Sequence, residues 1–128
     1  MTERAIQNAI RNDLAGRCHL FRANVGTGWT GDVTKLPDGS IIIRNPRPFA
    51  TGLPPGFSDL FGFVPVEITA DMVGRTLAVF SALEIKTRTG RVTPQQSAFL
   101  KAVNDNGGKA GVARSVEDAR AVIGINPK

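Results

Sequence analysis

The stretch Thr93-Pro94-Gln95-Gln96 constrains the fold more than any other part of the chain. It sets threonine at a helix cap, proline at the first helical position and glutamine three residues after the cap. A helix is therefore expected from there to about Asn106, ended by Gly107-Gly108. It lies between two β-like segments. Before it runs Leu77–Thr87, rich in apolar and β-branched residues, and after it Lys109–Arg114. Ser115-Val116-Glu117-Asp118 then opens a last helix. Upstream, Asp59–Ile68 is a further apolar run, joined to Leu77–Thr87 by a polar turn over Thr69–Thr76 that contains Gly74.

The N-terminal half starts with another helix. Thr2 caps it, Glu3 suits the first turn, Ile6, Ile10 and Leu14 recur at helical spacing, and Gly16 stops it. Cys18–Val25 reads as a strand. The segment from Gly26 to Gly56 is an excursion rich in glycine and proline, with a small hairpin expected at Pro37-Asp38-Gly39 before Ile41-Ile42-Ile43. The expectation is one α/β domain over residues 1–128. Its order is α-β-β-β-β-α-β-α, with a mixed central sheet flanked by helices.

Composition narrows the function classes. The 128 residues are 41% hydrophobic and 21% charged, ordinary for a globular domain. No apolar run approaches the roughly 18 residues of a membrane span, and the first residues lack the apolar stretch of a signal peptide. Cys18, the single cysteine, forms neither an internal disulfide nor a zinc cluster, so the expected location is the cytoplasm. Sixteen Lys and Arg against eleven Asp and Glu give a net charge of +5. Eleven of the sixteen are arginines, suited to bidentate phosphate contacts, and the balance favours a polyanionic partner.

Two apparent motifs fail on context. Gly26-Thr27-Gly28-Trp29-Thr30-Gly31 matches a dinucleotide-binding pattern, but Asp32–Pro37 does not start a helix and the position about twenty residues on offers no acid. His19 has no catalytic serine or second ligand tied to it; it reads as a strand or surface residue, and Cys18 as a small core hydrophobe.

The chemistry concentrates in Asp59 and Glu84-Ile85-Lys86. Glu84 and Lys86 alternate onto one face of a strand. If Asp59–Ile68 and Leu77–Thr87 form a hairpin whose turn centres between Asp71 and Met72, Asp59 opposes Glu84. Their side chains then start roughly 5 Å apart, close enough to share a cation. Mg²⁺ takes oxygen ligands and is commonly held by one or two carboxylates plus substrate phosphate. Lys86 would put a positive charge beside the attacking water and the phosphate. An exposed strand pair with a weak cross-strand ion pair accounts for the same residues and stays open at this point.

These residues resemble the PD-(D/E)XK nucleases, and their surroundings narrow the resemblance to the VRR-NUC family. The matching stretches are Gly56-Phe57-Ser58-Asp59-Leu60, Leu83-Glu84-Ile85-Lys86-Thr87, Gly90-Arg91-Val92-Thr93-Pro94-Gln95-Gln96, and Gly107-Gly108-Lys109 through Ser115. The likeness runs from about Glu3 to Val122 and is to the minimal stand-alone form of viruses and phages. For a phage protein, the location would be the bacterial host cytoplasm.

The resemblance implies a restriction-endonuclease-like core and a divalent metal, Mg²⁺ or Mn²⁺. Asp59, Glu84 and the Ile85 carbonyl would be its ligands, Lys86 the catalytic lysine and Gln96 a site residue. Glu3 would be the first-helix acid that completes the site. Ser58 stands where the family has proline, a backbone preference rather than a ligand.

Some assignments keep alternatives. Gln96 could equally close a capping box, although it shares a helical face with Phe99, Leu100 and Val103. Glu3 could equally serve the helix dipole, although it shares a face with Gln7 and Ile10. Arg22, Arg88, Arg91 and Arg114 are candidate phosphate contacts or ordinary solvated residues. Trp29 could stack on a base, wedge at a branch, or cover a core edge or partner chain.

The expected activity is metal-dependent, structure-selective endonucleolytic cleavage of DNA. By resemblance the substrate is branched DNA such as four-way (Holliday) junctions, cut by a homodimer. A nucleic-acid-binding module without cleavage and a sequence-specific restriction-like enzyme are the competing readings.

Overall fold

The computed structural model describes residues 2–127, which divide into two compact units. One comprises the chain up to His19 together with Phe63 onward; the other is Leu20–Gly62.

The first unit holds three helices: α1 (Glu3–Leu14), α2 (Pro94–Asp105) and α3 (Val116–Ile123). Each starts at a residue whose side chain satisfies a backbone N–H left without a helical partner. The Thr2 hydroxyl accepts from the Ala5 N–H, Thr93 from Gln96 and Ser115 from Asp118. Strand β5 (Ser81–Ile85) pairs in parallel with β6 (Lys109–Ala113), Glu84 standing beside Val112 and Ile85 beside Ala113. Parallel strands need a crossover, and α2 supplies it. The fully buried Val103 of α2, with Leu100 and Ala113, forms the core. Gly108 lets α2 turn directly into β6. A Cβ there would lie 2.6 Å from Val103 Cγ1 and 2.8 Å from the Phe80 carbonyl oxygen. Gly111 likewise admits Val122 of α3, which would stand 2.7 Å from an added Cβ. The cap of α3's last turn is shared between Gly124, in the left-handed region, and the Lys109 ammonium on the Ile123 carbonyl at 2.8 Å.

In the second unit, β2 (Thr27–Lys35) and β3 (Ile41–Ala50) form a long antiparallel ribbon. The turn at Pro37-Asp38-Gly39 is where the sequence predicts it. The Asp38 carboxylate accepts from the Ser40 hydroxyl and N–H, and these bonds hold it below its ordinary value of 3.8. A bulge shifts the register between Thr30↔Arg47 and Asp32↔Arg44. There Asn45 adopts a φ of 51° and donates its amide to Asp32 at 3.0 Å. Gly31 is required, since a Cβ would sit 2.7 Å from the Arg44 carbonyl oxygen.

Short strands β1 (His19–Arg22) and β4 (Leu60–Phe63) pair with each other. A 3₁₀ turn, Ala70–Met72, lies between β4 and β5.

The mixed α/β class and the helix boundaries follow the sequence expectation; the sheet does not. Five strands rather than four precede α2, because the Gly26–Gly56 excursion contributes two full strands instead of one small hairpin. Among the described residues the strands form three two-stranded sheets, not one central mixed sheet. The expected hairpin of Asp59–Ile68 with Leu77–Thr87 is absent, for β4 bonds to β1 and β5 to β6. The connection over residues 64–80, with Pro65 and a 3₁₀ turn, is too long and irregular to fix a hairpin register.

Gly108→Ala should destabilise the protein by about 1–3 kcal/mol, because the added methyl meets backbone as well as Val103. A lowered urea midpoint with an unchanged slope is the expected result.

Candidate active site at the end of strand β5

The pleat of β5 places Glu84 and Lys86 on one face. Lys86 Nζ lies 3.5 Å from Glu84 Oε1, with the side chains 19% and 30% exposed respectively. The same carboxylate oxygen accepts from Gln96 Nε2 at 2.8 Å. Both alternatives for Gln96 hold at once, because its amide has two ends. The carbonyl oxygen accepts from the Thr93 N–H at 3.0 Å and closes the capping box, while the NH₂ reaches the site. The helix cap therefore fixes the rotamer that orients Glu84.

The ladder also orients Ile85. Phe80 O accepts from Lys109 N, and Lys86 N donates to Ala113 O, so the even-numbered residues of β5 bond to β6. By this parity the Ile85 N–H and carbonyl point away from β6. Glu84 Oε2 has no partner among the described residues, so two oxygen donors are available at the strand end. Oxygen donors beside a carboxylate suit a hard divalent cation. Among the described residues, no group of three or more His, Cys, Asp or Glu side chains assembles a complete metal site.

The remaining candidates are placed as follows. Asp59 belongs to the Leu20–Gly62 unit; it is exposed, immediately precedes β4, and its carbonyl accepts from Ala23 N at 2.9 Å. Glu3 is exposed in the first turn of α1, where it complements the helix dipole. Arg88 and Arg91 are exposed just beyond β5, and Arg22 ends β1. None of these three arginines has a side-chain partner among the described residues. Trp29 is exposed on the ribbon, opposite Pro48.

Arg114 differs. One guanidinium nitrogen donates to the carbonyls of Thr87 at 2.5 Å, Gly90 at 2.8 Å and Arg88 at 3.3 Å. Sequence reasoning had no signal for this contact, which depends on the parallel register that sets Ala113 beside Ile85.

Residues 43–117 match the VRR-NUC domain. The chain belongs to the VRR-NUC family. No curated protein matches the chain, and no solved structure does. The matched span includes Asp59, Glu84, Ile85, Lys86, Gln96 and Arg114, while Glu3, Arg22 and Trp29 lie before it. Membership makes this a nuclease domain in general terms, with DNA as its partner; VRR-NUC nucleases are generally metal-dependent. Among the described residues, no helix is long and apolar enough to cross a membrane.

Gln96→Glu retains a capping-box acceptor but sets a second carboxylate against Glu84. Its thermal midpoint should stay near that of the parent. Cleavage should fall about 10–100-fold, the usual effect of removing a group that orients a ligand. Parallel melting curves and cleavage rates measure both.

Proposed function

We propose that the protein is a metal-dependent, structure-selective endonuclease that hydrolyses phosphodiester bonds in branched DNA such as four-way junctions, acting as a homodimer. One observation carries the reading: a carboxylate, a lysine and an orienting glutamine converge at the end of β5 within a VRR-NUC match. Glu84 and the Ile85 carbonyl would hold Mg²⁺ or Mn²⁺ together with Asp59, whose assignment rests on the family pattern. The ion would supply Lewis-acid polarisation of the phosphate and acidify water. Lys86, held beside Glu84, orients the attacking water and balances the charge developing on the phosphate. Gln96 keeps the Glu84 carboxylate from rotating away.

Substrate choice is supported by what surrounds the site. Arg88 and Arg91 sit next to it with unengaged guanidiniums, and contacts of that kind position a backbone without reading sequence.

The variants Asp59→Asn and Lys86→Ala test the mechanism on labelled junction, flap, single-stranded and duplex DNA with Mg²⁺, Mn²⁺ or EDTA. Asp59→Asn should abolish cleavage and metal binding by calorimetry yet keep DNA binding. Lys86→Ala should keep metal binding and slow cleavage by about 10²–10³. Wild-type rates in both would leave a DNA-binding module without this chemistry.

The homodimer is supported by the ribbon's apolar face. Residues paired across the strands share a face, so Trp29, Val33, Ile41, Ile43 and Pro48 lie on one side. Several of them are widely exposed. Light scattering should give twice the chain mass, and Val33→Glu should yield monomers. An active monomeric wild type at micromolar concentration would exclude the dimer.

A further inference from the structure

We propose that Arg114 is a positioning residue for Lys86, holding the loop that sets where the lysine ammonium stands. The inference rests on the reading of Lys86 as the catalytic lysine.

The chain leaves β5 at Lys86 and turns at once, Gly90 N donating to Thr87 O at 3.1 Å. That turn folds back on the lysine. A Cβ added at Gly90 would meet Lys86 Cβ at 3.5 Å and Thr87 Oγ1 at 3.2 Å. The turn has few internal bonds, and three of its carbonyls converge on the Arg114 guanidinium. Arg114 is well placed to act as a staple because its own backbone is fixed on both sides. Its N–H donates to Asp118 Oδ2 at 2.9 Å in the first turn of α3, and the preceding carbonyl, that of Ala113, accepts from Lys86 N at 3.1 Å. The start of α3 thus reaches the Lys86 loop through one side chain. All three contacts are made by one terminal nitrogen, which stands one bond farther from the backbone than a lysine ammonium would and whose N–H directions are fixed by the planar group. Arg114 is accordingly engaged with protein backbone rather than free for phosphate.

The test compares Arg114→Ala, Arg114→Lys, Lys86→Ala and the double variant Arg114→Ala/Lys86→Ala. Readouts are single-turnover cleavage of labelled junction DNA with Mg²⁺, DNA affinity across a salt series, and amide hydrogen exchange of the metal-free protein. Both Arg114 variants should cleave about 10–100-fold more slowly, as expected of a supporting contact. DNA affinity and its salt slope should not change, and exchange at Gly90 should accelerate. The double variant should cleave no more slowly than Lys86→Ala, since a residue acting through Lys86 has nothing to position once it is gone.

A salt slope reduced by about one in Arg114→Ala and restored in Arg114→Lys would overturn the proposal in favour of a phosphate contact. Additive losses in the double variant, or unaltered exchange at Gly90, would overturn it too. A slow Lys86→Ala with fully active Arg114→Ala would refute this inference alone. A fully active Lys86→Ala would refute the reading of the site and this inference with it.

Discussion

The parallel pairing of β5 with β6 is the constraint on which the candidate site depends. Its register is set by α2, which must leave β5, bury Val103 and Leu100, and return through the tight passage at Gly108. Once Glu84 stands beside Val112 and Ile85 beside Ala113, the rest of the local geometry is determined. Glu84 and Lys86 share a face, the Ile85 carbonyl turns away from β6, and the residue after Ala113 comes abreast of Lys86. A slip of one residue would turn the Ile85 carbonyl toward β6 and carry the Glu84–Lys86 pair together to the other face of the sheet.

On this frame a single polar chain links structure to chemistry. Thr93 caps α2, Gln96 closes the cap and donates onward to Glu84, and Glu84 lies beside Lys86. A capping box contributes about 1 kcal/mol to a helix, and here it also preorganises a carboxylate. The side chain that stabilises the helix start and the side chain that orients the acid are one and the same. This economy leaves Glu84 Oε2 unengaged, while Oε1 carries both contacts.

What was legible in the sequence was local. The Thr93 and Ser115 caps, the Pro37-Asp38-Gly39 turn and the alternation of Glu84 with Lys86 each depend on a few neighbouring residues, and each is found where it was expected. Pairing partners were not legible, because they are decided by distant segments. Nothing within Asp59–Ile68 or Leu77–Thr87 reveals that the former pairs with β1 and the latter with β6. The ribbon was underestimated for a different reason. Pro46 and Pro48 argue against a central strand, but both strands of a two-stranded ribbon are edges, where a missing N–H is tolerated. Arg114 could not be separated from the other arginines by sequence, since its guanidinium binds backbone brought close by the parallel register.

The ribbon itself carries an energetic argument. Its two faces differ in balance: Trp29, Val33, Ile41, Ile43 and Pro48 lie on one, with Lys35 at its end, and Thr30, Asp32, Thr34, Arg44 and Arg47 on the other, together with Ile42 and Phe49. The Asn45 bulge keeps Ile41 and Ile43 on the side of Pro48 through the register shift; without it they would stand on the opposite face. An isolated two-stranded hairpin is marginal in water, and this one leaves Val33 at 55% and Ile41 at 54% exposure. A face that stays mainly apolar along the ribbon is what a strand pair needs if it is to be covered. Coverage by a second copy would stabilise the ribbon by mass action, making its order depend on protein concentration. The opposite face would then remain outward, with Arg44 and Arg47 unengaged by protein and free to meet a phosphate backbone.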